Sequence, residues 1–150
     1  MAEPVVCIFP HSDKEFRTPD ALRDFLMGKL KKERNGRYDI TGKLKWIDKN
    51  FVERVIRGSL ILFSKKGLIV GRAITTTTIE KLESPEETET ETGAKAICYY
   101  RVFFDPKSIK VCPKPLAVEQ IERWADRKHN LHSYRILGTR RAFKKAFPDC

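Results

Sequence analysis

The hydrophobic pattern of the chain is anchored by two apolar runs, Leu60–Phe63 and Leu68–Ile74, separated by the polar break Ser64-Lys65-Lys66-Gly67. Gly67 can supply a positive φ, and two such runs around a short Gly-containing break predict a β-hairpin. Both runs are almost continuously apolar rather than alternating. The hairpin is therefore expected to be buried on both faces, at the centre of a sheet or small barrel.

The flanking sequence alternates strand and helix signals. Pro4–Phe9 reads as a first strand closed by Pro10. Thr18-Pro19-Asp20 supplies an N-cap, a proline at the first helical position and an early acidic residue. Leu22, Phe25, Leu26 and Leu30 then share one face at helical spacing, and Asn35-Gly36 ends the helix. Arg37–Lys45 is a connector with room for a short strand, and Asp48–Ile56 carries a short helical pattern ended by Gly58. Lys95–Phe104 is a long strand. Period 2 puts Ala96, Cys98, Tyr100, Val102 and Phe104 on one face, with Ile97, Tyr99, Arg101 and Phe103 on the other. Ser108–Cys112 returns as a strand, Ala117–Arg127 is a helix, and Ser133–Leu137 is a last strand. A helix capped by Thr139 ends the pattern. Short hairpins with interspersed helices predict one mixed α+β domain over residues 1–150, built on a strongly curved sheet.

Composition changes this picture in two places. The chain is 41% hydrophobic and 33% charged with a net charge of +10, which is globular and strongly basic. No apolar stretch approaches the ~20 residues of a membrane span. The N-terminal run lacks a basic leader, so a cytoplasmic protein without a membrane partner is expected. From Glu80 to Glu91 there are six glutamates and one lysine, a local net of −5 that leaves +15 on the remainder. The segment 80–93 has almost no apolar residues and reads as a mobile acidic surface loop. A basic body points to an acidic partner, with nucleic acid the default.

Catalytic and metal signals are sparse. The cysteines Cys7, Cys98, Cys112 and Cys150 form no CxxC pair and read as reduced thiols. His129 and His132 lack the further ligands of a metal set, and no Walker-type, GxSxG or GxGxxG motif occurs. No catalytic residue, metal or cofactor is assigned, and a non-enzyme is expected. Binding residues are nominated instead from aromatics and cations outside the core pattern. Trp46, flanked by Lys43 and Lys45, reads either as core or as the wall of a base-stacking pocket. Tyr38, Tyr99, Arg101 and Ser64 complete the candidate base pocket. Lys65, Lys66, Arg72, Arg140 and Arg141 are the candidate phosphate contacts, the last two at a helix start whose free N–H groups favour anions. Trp124 borders the apolar stripe of its helix and reads as core.

The run RGSLILFSKKGLIVGRA, followed in order by YYRVFFDPKSIKV, PLAVEQIERW and SYRILG, resembles the PUA-like superfold in its EVE and YTH branches. The resemblance spans Trp46 to Gly138. It implies a small pseudo-barrel that binds DNA or RNA without catalysis. Several members enclose one modified or flipped base in an aromatic pocket, and some are recognition modules of modification-dependent restriction systems, alone or joined to effector domains. Two other readings stand beside it: an ASCH-like ribonuclease, and a protein-interaction module whose basic surface takes an acidic partner.

Overall fold

In the computed structural model, which describes residues 2–41, 49–125 and 134–148, the hairpin lies at the middle of a five-stranded sheet. We number its strands β3 (Leu60–Lys65) and β4 (Leu68–Ile74) in chain order. The turn between them is tighter than the four-residue break implies. Ser64 and Lys65 belong to β3, and both Lys66 (φ 51°) and Gly67 (φ 77°) are left-handed. Two consecutive positive φ values twist a two-residue loop in the sense the strands require.

Strand β1 (Val5–Pro10) runs parallel to β3 and antiparallel to β8 (Arg135–Thr139). With β7 (Lys110–Ala117) on β4, the order is β7-β4-β3-β1-β8. Parallel β1 and β3 need a long crossover. It contains α1 (Pro19–Phe25), which widens into π-helical turns over Leu26–Glu33, then β2 (Arg37–Ile40) and α2 (Lys49–Arg54). The start of α1 follows its sequence signal, since the Thr18 side chain accepts a hydrogen bond from the Ala21 amide at 3.1 Å. The crossover ends its helix at Asn35 and Gly36, with φ of 50° and 90°. Gly36 has a second constraint, because a Cβ there would stand 2.1 Å from the Phe104 carbonyl oxygen.

A second, antiparallel sheet has the order β2-β6-β5, with β6 (Lys95–Phe103) central and β5 (Glu80–Glu89) at the edge. Here the structure overturns the expected acidic loop over 80–93: ten of those residues are a strand. The Glu-Thr alternation suits a pleated ladder, and Glu86–Glu89 pairs in register with Lys95–Cys98 of β6. Cations absorb part of the charge that made the segment look like a loop. Lys95 lies 3.6 Å from Glu87, Arg101 2.7 Å from Glu86 and Lys29 2.9 Å from Glu91.

The five-stranded sheet is covered on both sides, which is why its central strands are apolar throughout. Cys7, Phe9, Ile61, Phe63 and Ala73 face one core with α1, Tyr38, Tyr100 and Val102. Val6, Ile8, Leu60, Leu62 and Ile69 face the other. That second core is closed by Val118 and Ile121 of α3 (Val118–Ala125) and Phe143 of α4 (Arg140–Ala146). Trp124 is half-buried, edge-on to Phe143 and Phe147 at 5.5 and 5.9 Å, in the core role its helical position predicts. Strand β7 runs further than the sequence suggests, through Pro113 and Pro115. An edge strand tolerates these prolines, and they fall where pairing with β4 is irregular. The fold is mixed α+β. Among the described residues no helix is long and apolar enough to cross a membrane.

Candidate functional site

The nominated base-pocket residues divide between two environments, and Trp46, with His129 and His132, lies outside the described residues. Tyr38 is buried on the inner side of β2, with ring centroids of Phe9, Phe63 and Phe104 at 5.6, 5.7 and 5.8 Å. Its hydroxyl is 2.6 Å from Nε2 of His11, and Nδ1 of His11 is 3.2 Å from the Ser64 carbonyl oxygen. A carbonyl only accepts, so Nδ1 carries the proton. Burial pushes the His11 pKa down and so favours the neutral imidazole, to whose Nε2 Tyr38 donates. Burial also pushes the Tyr38 phenol well above its usual value. Tyr38 and Ser64 are thus brought together, as the two ends of a buried relay through His11. Sequence reasoning missed His11, for which no local pattern exists.

Arg101 does not join them, and Tyr99 is half-buried against the core that contains Tyr38. Both alternate with the buried Cys98, Tyr100 and Val102 along β6, as period 2 predicts. Arg101 donates from Nε to Asp39 at 2.6 Å and from Nη2 to Glu86 at 2.7 Å, clamping β2, β6 and β5 together. The hydrogen bond to Asp39, then that to Glu86, raises its pKa against a lowering from burial. An arginine so engaged is a sheet clamp rather than a base-pocket wall.

The phosphate set separates similarly. Lys65 is only 3% exposed and is ion-paired with the exposed Asp13, which this partner holds below its usual carboxylate pKa. Lys66 is exposed at the hairpin tip. Arg72 pairs opposite Leu62 and Lys110, which puts it on the sheet face that carries α3 and α4. Arg140 donates its amide to Pro4 O at 3.0 Å and its guanidinium to Gly58 O at 2.9 Å. Arg141 lies 3.0 Å from Glu3. The Thr139 hydroxyl takes the Ala142 amide at 3.2 Å, so the helix start does not offer the free set of N–H groups expected of it. The cations that remain are Lys66, Lys107, Lys110, Lys114, Lys144 and Lys145, together with Lys14, Arg17, Arg23, Lys32, Arg54, Arg57 and Lys81 elsewhere on the surface. All are exposed and without an ion-pair partner among the described residues.

One open cleft of about 440 Å³, mouth included, lies where the β1–α1 segment, α1, β2 and the end of β5 meet. Phe16, Phe25 and Tyr38 contribute to its lining, together with the carboxylates of Glu15, Asp39, Glu89 and Glu91. Arg34 places its guanidinium 5.6 Å from the Phe25 ring centroid. Asp39 is already paired with Arg101 and Glu91 with Lys29, so the cleft presents no concentrated positive charge for a phosphate. Among the described residues no group of three or more His, Cys, Asp and Glu could hold a metal ion. Cys7 and Cys98 are free and buried, with pKa values raised by burial, whereas Cys112 is disulfide-bonded, against the expected reduced thiol.

In comparison with known proteins, no family model matches the chain, and no curated protein matches it.

Proposed function

We propose that this is a non-catalytic nucleic-acid-binding domain with a PUA-like fold of the EVE/YTH type. The observation that carries the reading is electrostatic. The chain has a net charge of +10, and its exposed lysines on the β7 flank and α4, Lys107, Lys110, Lys114, Lys144 and Lys145, are unneutralised among the described residues. Lysines left unpaired on a surface interact with phosphate at little desolvation cost, and each contact releases condensed counterions. The order of strands and helices around a two-sided central hairpin is compatible with the superfold that the sequence resembles. In this reading Trp46 is the stacking face for a modified or flipped base, and Arg72 shares the cationic side of the sheet with α4.

The test is a binding screen across modified and unmodified DNA and RNA oligonucleotides at several salt concentrations, with a nuclease assay on the same panel. Salt-sensitive binding without cleavage is the expected result. Cleavage would favour the ribonuclease reading, and no oligonucleotide binding at low salt would remove the nucleic-acid reading altogether.

A further inference from the structure

Among the described residues strand β5 is held on one side only, by β6, and its other edge carries no partner strand. It is exposed along nearly its whole length, with only Leu82 and Thr88 half-buried. Edge strands are commonly blunted by bulges, prolines and charges. The first half of β5 has such a device: its register breaks between Lys81 and Glu86, around Pro85. The second half has no proline and pairs regularly from Glu86 to Glu89, which leaves an open edge of backbone donors and acceptors beside it.

Charge defines what could cover that edge. Five glutamates of β5, Glu80, Glu83, Glu86, Glu87 and Glu89, project from a chain that is otherwise strongly positive. Ile97 is opposite Glu87 on the neighbouring strand and, at 47% exposure, is the large apolar side chain left open to solvent among the described residues. Beyond Glu89 the strand leads into the cleft with Glu15, Asp39 and Glu91. An open edge lined by five glutamates is complementary to an extended cationic segment and unfavourable for nucleic acid.

We propose that the free edge of β5 docks a Lys/Arg-rich extended segment of a partner protein, which adds to the sheet as a fourth strand. Its backbone pairs along Glu86–Glu89, and its cationic side chains face the glutamates. This site is separate from the lysines of β7 and α4, so it stands or falls independently of nucleic-acid binding.

The probe is a fluorescent ten-residue peptide of alternating lysine and valine, titrated into the intact protein and followed by anisotropy. Binding is expected, with added amide-exchange protection in β5. Methylating alternate peptide nitrogens keeps the charge but removes strand hydrogen bonds, and should weaken binding at least tenfold. The combined substitution Glu83→Gln, Glu87→Gln and Glu89→Gln should do the same while leaving oligonucleotide binding undiminished. If the peptide does not bind, the glutamates serve only to blunt the edge and the proposal fails. It fails equally if N-methylation leaves affinity unchanged, since attraction would then be charge alone. That comparison uses the unmodified protein, so it does not depend on how the glutamine variant folds.

Discussion

A buried imidazole must satisfy both ring nitrogens, and His11 does so between the Ser64 carbonyl and the Tyr38 hydroxyl, with burial favouring the neutral form. Replacing Tyr38 with Phe keeps the ring and leaves Nε2 without its donor. We expect a loss of about 1–3 kcal/mol in urea unfolding, the cost of an orphaned buried polar atom. The relay also has a pH signature. Because burial lowers the folded-state pKa of His11 below its ordinary 6.5, the unfolded chain takes up the proton first as pH falls. The relay's contribution is complete above that ordinary value and is lost as pH falls through the folded pKa. His11→Gln should flatten this acid limb in melting curves taken from pH 7 to 5. An unchanged limb would assign it to other groups. None of this was legible in the sequence, where Tyr38 reads as a pocket candidate and nothing singles out His11. The contact spans 27 residues and leaves no local pattern. Gly36 was legible, as a helix stop, but only in part. Its left-handed φ accounts for the stop, whereas the approach of Phe104 O is tertiary. Gly36→Ala should therefore cost at least about 2 kcal/mol, more than φ alone demands.

At the scale of elements, the hairpin β3–β4 and the start of α1 were readable because their determinants are local: continuous apolar runs, a glycine turn, and a Thr-Pro-Asp cap. Strand β5 was not. Its composition offers nothing to bury, and its structure comes from the ladder to β6 and from cations elsewhere in the chain, among them Arg101 and Lys29. The nominated base-pocket residues are separated for a related reason. Period 2 correctly separated the two faces of β6, but the sequence did not reveal that Arg101 would be taken up by Asp39 and Glu86. The consequence is measurable. Replacing 80–93 with a short Gly-Ser turn strips β6 of one neighbour and Arg101 of one carboxylate. The melting temperature should fall by about 5 °C or more, as ~2 kcal/mol does in a domain of this size. An unchanged melting temperature would mean that β5 contributes nothing to the fold.

Across the whole molecule, five glutamates lie along the edge strand β5 of the three-stranded sheet, while unpaired lysines stand on β7 and on α4, towards opposite ends of the five-stranded sheet. Composition gave the sum and the acidic segment. Which cations remain free required the ion pairs, which removed Lys65, Arg101 and Arg141 and left, among others, Lys110, Lys114, Lys144 and Lys145. The central claim is that these lysines track a phosphate backbone, and the salt dependence of oligonucleotide binding tests it most directly. Each phosphate contact contributes about 0.7–0.9 to the slope of log K against log salt. Replacing Lys110, Lys114, Lys144 and Lys145 together with alanine should weaken binding and flatten that slope by roughly three units, with the fold unchanged by circular dichroism. A slope identical to that of the unmodified protein would contradict the account, as would the absence of any binding by the unmodified protein at low salt.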